Sequence, residues 1–292
     1  MSDPGPSSRG DGPHRITIEV EPTSLPMELW ELHQRLPVGA VVRVDFRPAR
    51  PTDDTVGDGS PTGAGPPLTH VLFSDVVTGA GFEIVERADS AIAGHAGTGR
   101  TPEQDDTTDA RRDTSSGQLR LRRTRTLADT VGPRMRLLLV GLNPSLHAAD
   151  SGVGFSGPSN RGWPALVGAG LAETDRDPLA LLRDRGIGMT DLVKRATARA
   201  DELDRTEYRS GLERLERLCA WLQPAAVCVV GLSGWRAAVD RRARAGEQTR
   251  LIGNRPVWLM PNPSGLNTHV SLDDLCGHLR SALSLAERSS ST

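Results

Sequence analysis

The chain has 292 residues, enough for one large or two small domains, and its 37% hydrophobic content supports a core over most of that length. The net charge of −2 conceals a split: residues 1–133 hold 14 Arg and no Lys against 20 acidic residues, while residues 134–292 hold 21 basic against 17 acidic residues. Only the second half leans toward an anionic partner, and modestly. No run of 18 apolar residues is present, and "MSDPGPSSRGDGPH" lacks the apolar core of a signal peptide. A membrane span and secretion are therefore not expected; the expected location is the cytosol.

Residues 1–14 are expected to be disordered. Two low-complexity stretches, 48–67 and 88–118, are rich in Pro, Gly, Thr and Asp and cannot bury enough apolar surface to offset chain entropy. Between them, "LPMELWELHQRLPVGAVVRVDF" reads as helix, turn and strand, and "LTHVLFSDVVTGAGFEIVER" as helix, Gly stop and strand. "GQLRLRRTRTL" alternates as a further strand. Residues 15–127 thus form a small, degenerate α/β region. Their order weakly resembles the last third of a class I methyltransferase domain, but no glycine-rich nucleotide loop precedes it.

From residue 134 the texture changes. Apolar runs at 136–141, 186–193, 225–231 and 256–261 alternate with helical patterns at "GWPALVGAGLA", "TEYRSGLERLERLCAWL", "SGWRAAVDRRARAG" and "SLDDLCGHLRSALSLAER". Strands apolar throughout, separated by helices, indicate a parallel sheet covered on both faces. Ligands of such sheets sit beyond the carboxyl ends of the strands, which directs attention to the loops after Val140, Met189, Val230 and Met260. Cys219, Cys228 and Cys276 lie within apolar periodic segments, at spacings that match no zinc or iron–sulfur site, and read as reduced core residues.

The loop after the first run, Gly141 to Gly162, carries five Gly, two Pro and two Asn, but only Asp150 and Arg161 as formal charges. It opens with Gly141-Leu142-Asn143-Pro144-Ser145. Later loops read Gly188-Met189-Thr190-Asp191-Leu192-Val193-Lys194-Arg195 and Pro261-Asn262-Pro263-Ser264-Gly265-Leu266. With the segment Gly152–Trp163, these four ordered motifs resemble the mismatch-specific branch of the uracil-DNA glycosylase superfamily, over residues 134–288. The resemblance implies a three-layer α/β/α fold with a short, mainly parallel central sheet. It implies a monofunctional DNA glycosylase that flips uracil, and with less support thymine or modified cytosine, out of mismatched double-stranded DNA and leaves an abasic site. No metal, no organic cofactor and a monomer are expected. The rival reading is a catalytically weak DNA-damage-binding protein of the same fold.

The chemistry of the residues agrees with that resemblance. A flipped base needs a narrow pocket, which glycines open to close backbone approach and prolines stiffen. Asn143 offers a carbonyl acceptor and an amide donor at a strand end, suited to holding a water near the sugar C1′, and does not titrate. Gly141, Ser145, Phe155 and Asn160 are the candidate base-binding residues. By resemblance Phe155 lies face-on against the base; the alternative is that it pins the loop to the core. Asn160 and Arg161 suit loop structure and helix start, and Trp163 the core. Asp191 is the second catalytic candidate, to orient water or stabilise a cationic sugar, or else it pairs with Lys194 or Arg195. Asn262, Ser264, Gly265, Leu266, Asn267 and Lys194 are the candidate DNA contacts. Leu266 is by resemblance the wedge that fills the gap left by the flipped nucleotide, or else packs beneath a turn. Lys194, the single lysine, suits phosphate or structural pairing better than a Schiff base, so hydrolysis without strand cleavage is expected.

Three departures from the family pattern stand out: Ser145 and Gly162, where Gly and Phe are usual, and a wedge loop continuing as Asn267-Thr268-His269 without the Arg that often follows. Ser145 is expected to narrow the pocket and Gly162 to loosen its support, which favours uracil as substrate. Because all four motifs lie beyond residue 134, a chain beginning near Leu119 or Asp129 is expected to fold and retain excision.

Overall fold

The computed structural model describes residues 15–21, 23–48, 68–88 and 117–290. The stretches expected to be disordered, 1–14, 48–67 and 88–118, fall wholly or mostly outside these residues. The elements in chain order are β1 (Arg15–Val20), α1 (Leu25–Arg35), β2 (Val41–Pro48), α2 (His70–Gly79), β3 (Phe82–Ala88), β4 (Gly117–Arg123) and β5 (Leu137–Gly141). There follow α3 (Leu146–Ser151), α4 (Gly162–Gly168), α5 (Pro178–Arg185), β6 (Ile187–Asp191), α6 (Arg205–Leu222), β7 (Val227–Val230), α7 (Leu232–Ala238), β8 (Gly246–Ile252), β9 (Arg255–Met260) and α8 (Leu272–Ser290).

The second sheet has the order β6-β5-β7-β9-β8, parallel except for the antiparallel edge strand β8. Its strands carry apolar residues on both faces. Leu138 and Val140 of β5 join the core cluster that holds Leu215 and Leu218 of α6, whereas Leu137 and Leu139 join the cluster of Leu166 on α4 and Leu279 on α8. Two-residue alternation between two helix layers makes the arrangement a three-layer α/β/α sandwich. The chain leaves β5 for β6 on one side and then returns to β7 on the other, so β5 is the switch point of the sheet. A crevice opens at such a point beyond the strand ends.

The first sheet, β1-β2-β4-β3, is mixed: β1 and β2 are parallel, and β4 runs antiparallel to both its neighbours. We propose a two-unit organisation, residues 15–127 and 134–288, each built on its own sheet. Packing nevertheless joins them. Val44, Phe46, Phe73, Val77 and Leu121 of the first unit belong to the same buried cluster as Val140, Leu215 and Leu218 of the second. Polar contacts add to this: Arg217 of α6 pairs with Asp75 of α2 at 2.5 Å, and Asp129 N–H donates to Gly79 O at 2.8 Å. These contacts argue against the expectation that a chain starting at Leu119 or Asp129 folds by itself, which a truncation experiment tests. Among the described residues no helix is long and apolar enough to cross a membrane, and no His, Cys, Asp or Glu cluster is arranged to hold a metal ion. Cys219, Cys228 and Cys276 are buried free thiols.

Candidate active site

The loops beyond β5, β6 and β9, with Val230 at the end of β7, converge on a cavity of about 230 Å³. Its walls include Gly141, Asn143, Ser145, Phe155, Asn160, Asp191, Asn262 and Ser264, so eight of the twelve candidate residues meet in one place. Gly265, Leu266, Asn267 and Lys194 are not among the lining residues. Sequence reasoning missed Leu127 and Ala128, which close the cavity from the segment preceding β5, and Thr197.

Asn143 is held by its amide nitrogen. Nδ2 donates to the carbonyl oxygens of Arg195 at 3.0 Å and Pro144 at 3.2 Å, and to Thr197 Oγ1 at 2.8 Å. Carbonyl oxygens only accept, so the amide orientation is fixed, and Oδ1 is left as the acceptor that this side chain can offer a water in the cavity. Thr197 N–H donates to Pro144 O at 3.1 Å, and Ser145 bridges Thr197, which ties the loop after β5 to the loop after β6. Ser145 itself caps α3, its Oγ accepting from Ala148 N–H at 3.1 Å. That hydroxyl serves the helix end, while the residue also lines the cavity.

Gly141 and Asp191 explain each other. A Cβ at position 141 would lie 2.4 Å from Asp191 Oδ1, so only glycine lets the carboxyl group sit beneath the strand end. Asp191 is buried, and its Oδ2 has no hydrogen-bond partner among the described residues. Burial pushes its pKa up to about 6; Lys194 pulls it down, Asp129 pushes it further up and Arg214 pulls it down. Neither pairing entertained from the sequence occurs. Arg195 is bidentate with Glu207 at 2.6 and 2.9 Å, and Lys194 pairs with Asp129 at 2.7 Å.

Lys194 is corrected as a DNA contact. Its side chain is buried and its Nζ also donates to Leu127 O, so the ammonium faces the interior, not a phosphate. Asp129 is the centre of this cluster, accepting from Lys194 and, at 2.6 Å, from Thr190 Oγ1 on Oδ1, and from Arg214 Nη1 at 2.9 Å on Oδ2. Burial would raise the Asp129 pKa, but Lys194 and then Arg214 outweigh it and hold the group below the usual carboxylate range.

Phe155 adopts a left-handed backbone with φ 55° and is half-buried at the cavity wall. Two features hold it there. Trp163, buried as expected, donates its Nε1–H to Gly154 O at 2.7 Å. At position 162 a Cβ would lie 2.8 Å from the Phe155 Cβ. Gly162 is therefore what admits Phe155 to this position. Asn160 lines the cavity while its Oδ1 accepts from Gly162 N–H at 2.8 Å, a helix-start role.

The loop after β9 is braced from within and from below. Asn262 Oδ1 accepts from Ser264 N–H at 3.0 Å, Asn267 Nδ2 donates to Asn262 O at 3.0 Å, and Arg161 donates to the carbonyls of Asn267 at 2.7 Å and Val270 at 2.5 Å. Gly265 lies against Ser159, whose carbonyl oxygen would be 2.6 Å from a Cβ there. On this rigid frame Leu266 is 92% exposed, which excludes the alternative that it packs beneath a turn.

An uncharged amide, an aromatic ring and a buried carboxyl group thus meet at the switch point of a mainly parallel α/β sheet, the place where such folds bind their ligands. The profile of the Uracil DNA glycosylase superfamily matches residues 128–284, and the chain belongs to that family. Membership points to DNA glycosylase activity and to DNA as the partner. The match begins at the residue after Leu127, so the first sheet lies outside it.

Proposed function

We propose that this protein is a monofunctional glycosylase of the mismatch-specific branch that removes uracil from double-stranded DNA, acting as a monomer without metal or organic cofactor. The observation that carries the reading is the meeting of Asn143, Phe155 and Asp191 around one cavity, with Leu266 exposed on a braced loop beside it. The extruded base stacks on Phe155. Asn143 Oδ1 holds a water for C1′ while the C1′–N bond breaks and its electron pair leaves with the base; the water adds as hydroxyl and its proton ends on the base through solvent. The Asp191 carboxylate stabilises the positive charge that develops on the sugar. Because the single lysine has its amine committed to Asp129 and Leu127, no Schiff base forms and the strand stays intact. Incubation with uracil-containing duplexes, followed by alkali, tests the reading: strand breaks only after alkali are the expected result, and duplexes that stay intact through alkali rule it out.

Two further outcomes follow from the same site. Excision under single-turnover conditions is expected to decline as pH falls through about 6, where Asp191 takes up its proton. Asp191→Asn should abolish that decline, and a wild-type rate flat between pH 5 and 7.5 would remove the carboxylate from the chemistry. Leu266→Ala is expected to slow duplex excision more than single-strand excision. In a duplex the leucine fills the gap beside stacked neighbours, worth roughly 1.5 to 3 kcal/mol of apolar burial, and a single strand has less stacking to replace. Equal slowing on matched duplex and single-stranded oligonucleotides would make Leu266 a packing residue.

A further inference from the structure

Beneath the cavity lies a cluster of four ionisable side chains drawn from three parts of the chain: Asp129 before β5, Asp191 and Lys194 at the end of β6 and just beyond, and Arg214 in the middle of α6. Lys194, Arg214 and Asp129 have side chains 8%, 6% and 5% exposed, and Asp191 is buried as well. Buried charges are costly unless balanced. The Asp129 carboxylate is saturated by Lys194, Thr190 and Arg214 and supplies one negative charge against two positive ones. A neutral Asp191 would leave the cluster with a net positive charge in the interior.

The contacts also fix where Asp191 sits. Arg214 Nη2 donates to the backbone carbonyl of Asp191 at 2.7 Å and to Thr190 Oγ1 at 2.9 Å. Thr130 pairs in both directions with Met189, and Thr126 Oγ1 donates to the carbonyl of Lys194. The carboxyl group itself accepts no hydrogen bond on Oδ2 from any described residue, and its Oδ1 lies beneath Gly141. Burial opposes its ionised form, Lys194 favours it, Asp129 opposes it and Arg214 favours it; the residue lines the cavity.

We infer that Lys194 and Arg214, anchored by Asp129, are positioning residues that hold the Asp191 carboxylate ionised and in place beneath the nucleoside site. The inference rests on the role of Asp191 proposed above. Lys194, Asp129 and Arg214 are the charged groups that face Asp191 from the loop after β6, from the segment before β5 and from α6. An oxocarbenium-like sugar needs a negative charge at that point, and a carboxyl group buried without cations nearby would be protonated at neutral pH.

The test is a titration of the Asp side-chain carboxyl ¹³C signals in the full chain without DNA, with Asp191 assigned from the Asp191→Asn difference. In the wild type Asp191 is expected to be ionised at pH 7.5, with its midpoint near about 6. Lys194→Met is expected to raise that midpoint by about 1 unit or more. The acidic limb of the single-turnover excision profile should move with it, and Lys194→Arg should restore both. An unmoved midpoint in folded Lys194→Met overturns the inference. So does a wild-type Asp191 that is still protonated at pH 7.5, a measurement that decides the matter even where Lys194→Met does not fold. Because the carboxyl titration uses no DNA, its outcome is independent of whether uracil is excised: absent excision with the expected titration would count against the glycosylase reading alone.

Discussion

A chain beginning at Asp129 is expected to be recovered as aggregate, or as a species without a cooperative melt, although the family match begins one residue earlier. In the full chain Gly79 closes over the Asp129–Arg214 pair, where a Cβ would come within 2.3 Å of Asp129 Oδ2, and Gly79 O accepts the Asp129 N–H. Starting at 129 removes that cover, and puts a new ammonium group in place of the amide beside a buried ion cluster. It also takes from α6 its apolar and ionic contacts with α2. Uncovering a buried apolar side chain costs about 1.5 to 3 kcal/mol, against a total stability of about 5 to 15 kcal/mol, so a few uncovered residues suffice. A start at Leu119 is worse, because β4 is the strand between β2 and β3 and would lose both partners while exposing Leu119 and Leu121. Soluble yield and thermal melting of residues 129–292 and 119–292 beside the full chain provide the check. A soluble 129–292 fragment that melts cooperatively and excises uracil would mean that the first sheet is detachable.

What could be read from the sequence follows from how each element announces itself. The strands β5 and β7 are buried throughout and appear as unbroken apolar runs; β6 is buried but ends in Thr190 and Asp191, and β9 is buried at Val257, Leu259 and Met260. The edge strand β8, "GEQTRLI", is largely exposed and antiparallel, so its residues carry no such run. β1 was missed although "RITIEV" alternates, because it is short and stands beside a low-complexity N-terminus. Helices α3 and α5, of 6 and 8 residues, are too short to display a period. In the site, Asn143 and Asp191 were legible because chemistry in a parallel sheet collects just beyond strand ends, and Phe155 from the family resemblance and as an aromatic residue in a Gly-rich loop. Asp129 was not, since its partners Lys194 and Arg214 lie 65 and 85 residues away. One signal for Arg214 was present: it falls on the apolar side of α6, three residues after buried Gly211 and four before buried Leu218, where an unpaired guanidinium would be costly. Lys194 misled for the complementary reason. A lone lysine in a polar loop suggests a phosphate partner until the carboxylate that takes it is located.

Asn143→Ala is expected to lower the single-turnover rate of uracil excision at least about tenfold to a hundredfold, roughly 1.4 to 2.7 kcal/mol, while leaving duplex affinity nearly unchanged. The division between rate and affinity comes from where the side chain points its two functions. Nδ2 faces the protein, bound to Pro144, Arg195 and Thr197. In the proposed mechanism Oδ1 is the part that holds the water, and such a contact is strongest when that water gains positive character in the transition state. Affinity for duplex is dominated by phosphate contacts, and the proposed pose gives neither function of Asn143 a phosphate partner. Truncation to alanine also frees the 195–197 loop, so a loss of rate from misplacement must be separated from loss of the acceptor. Asn143→Asp makes that separation: it keeps the acceptor but turns the Nδ2 position into an oxygen facing the carbonyls of Pro144 and Arg195. If the loop anchor is what matters, Asp fails as badly as Ala. If the acceptor matters, Asp retains a larger share of the rate, above all at pH values where it is ionised. An Asn143→Ala enzyme with the wild-type single-turnover rate would remove Asn143 from the mechanism.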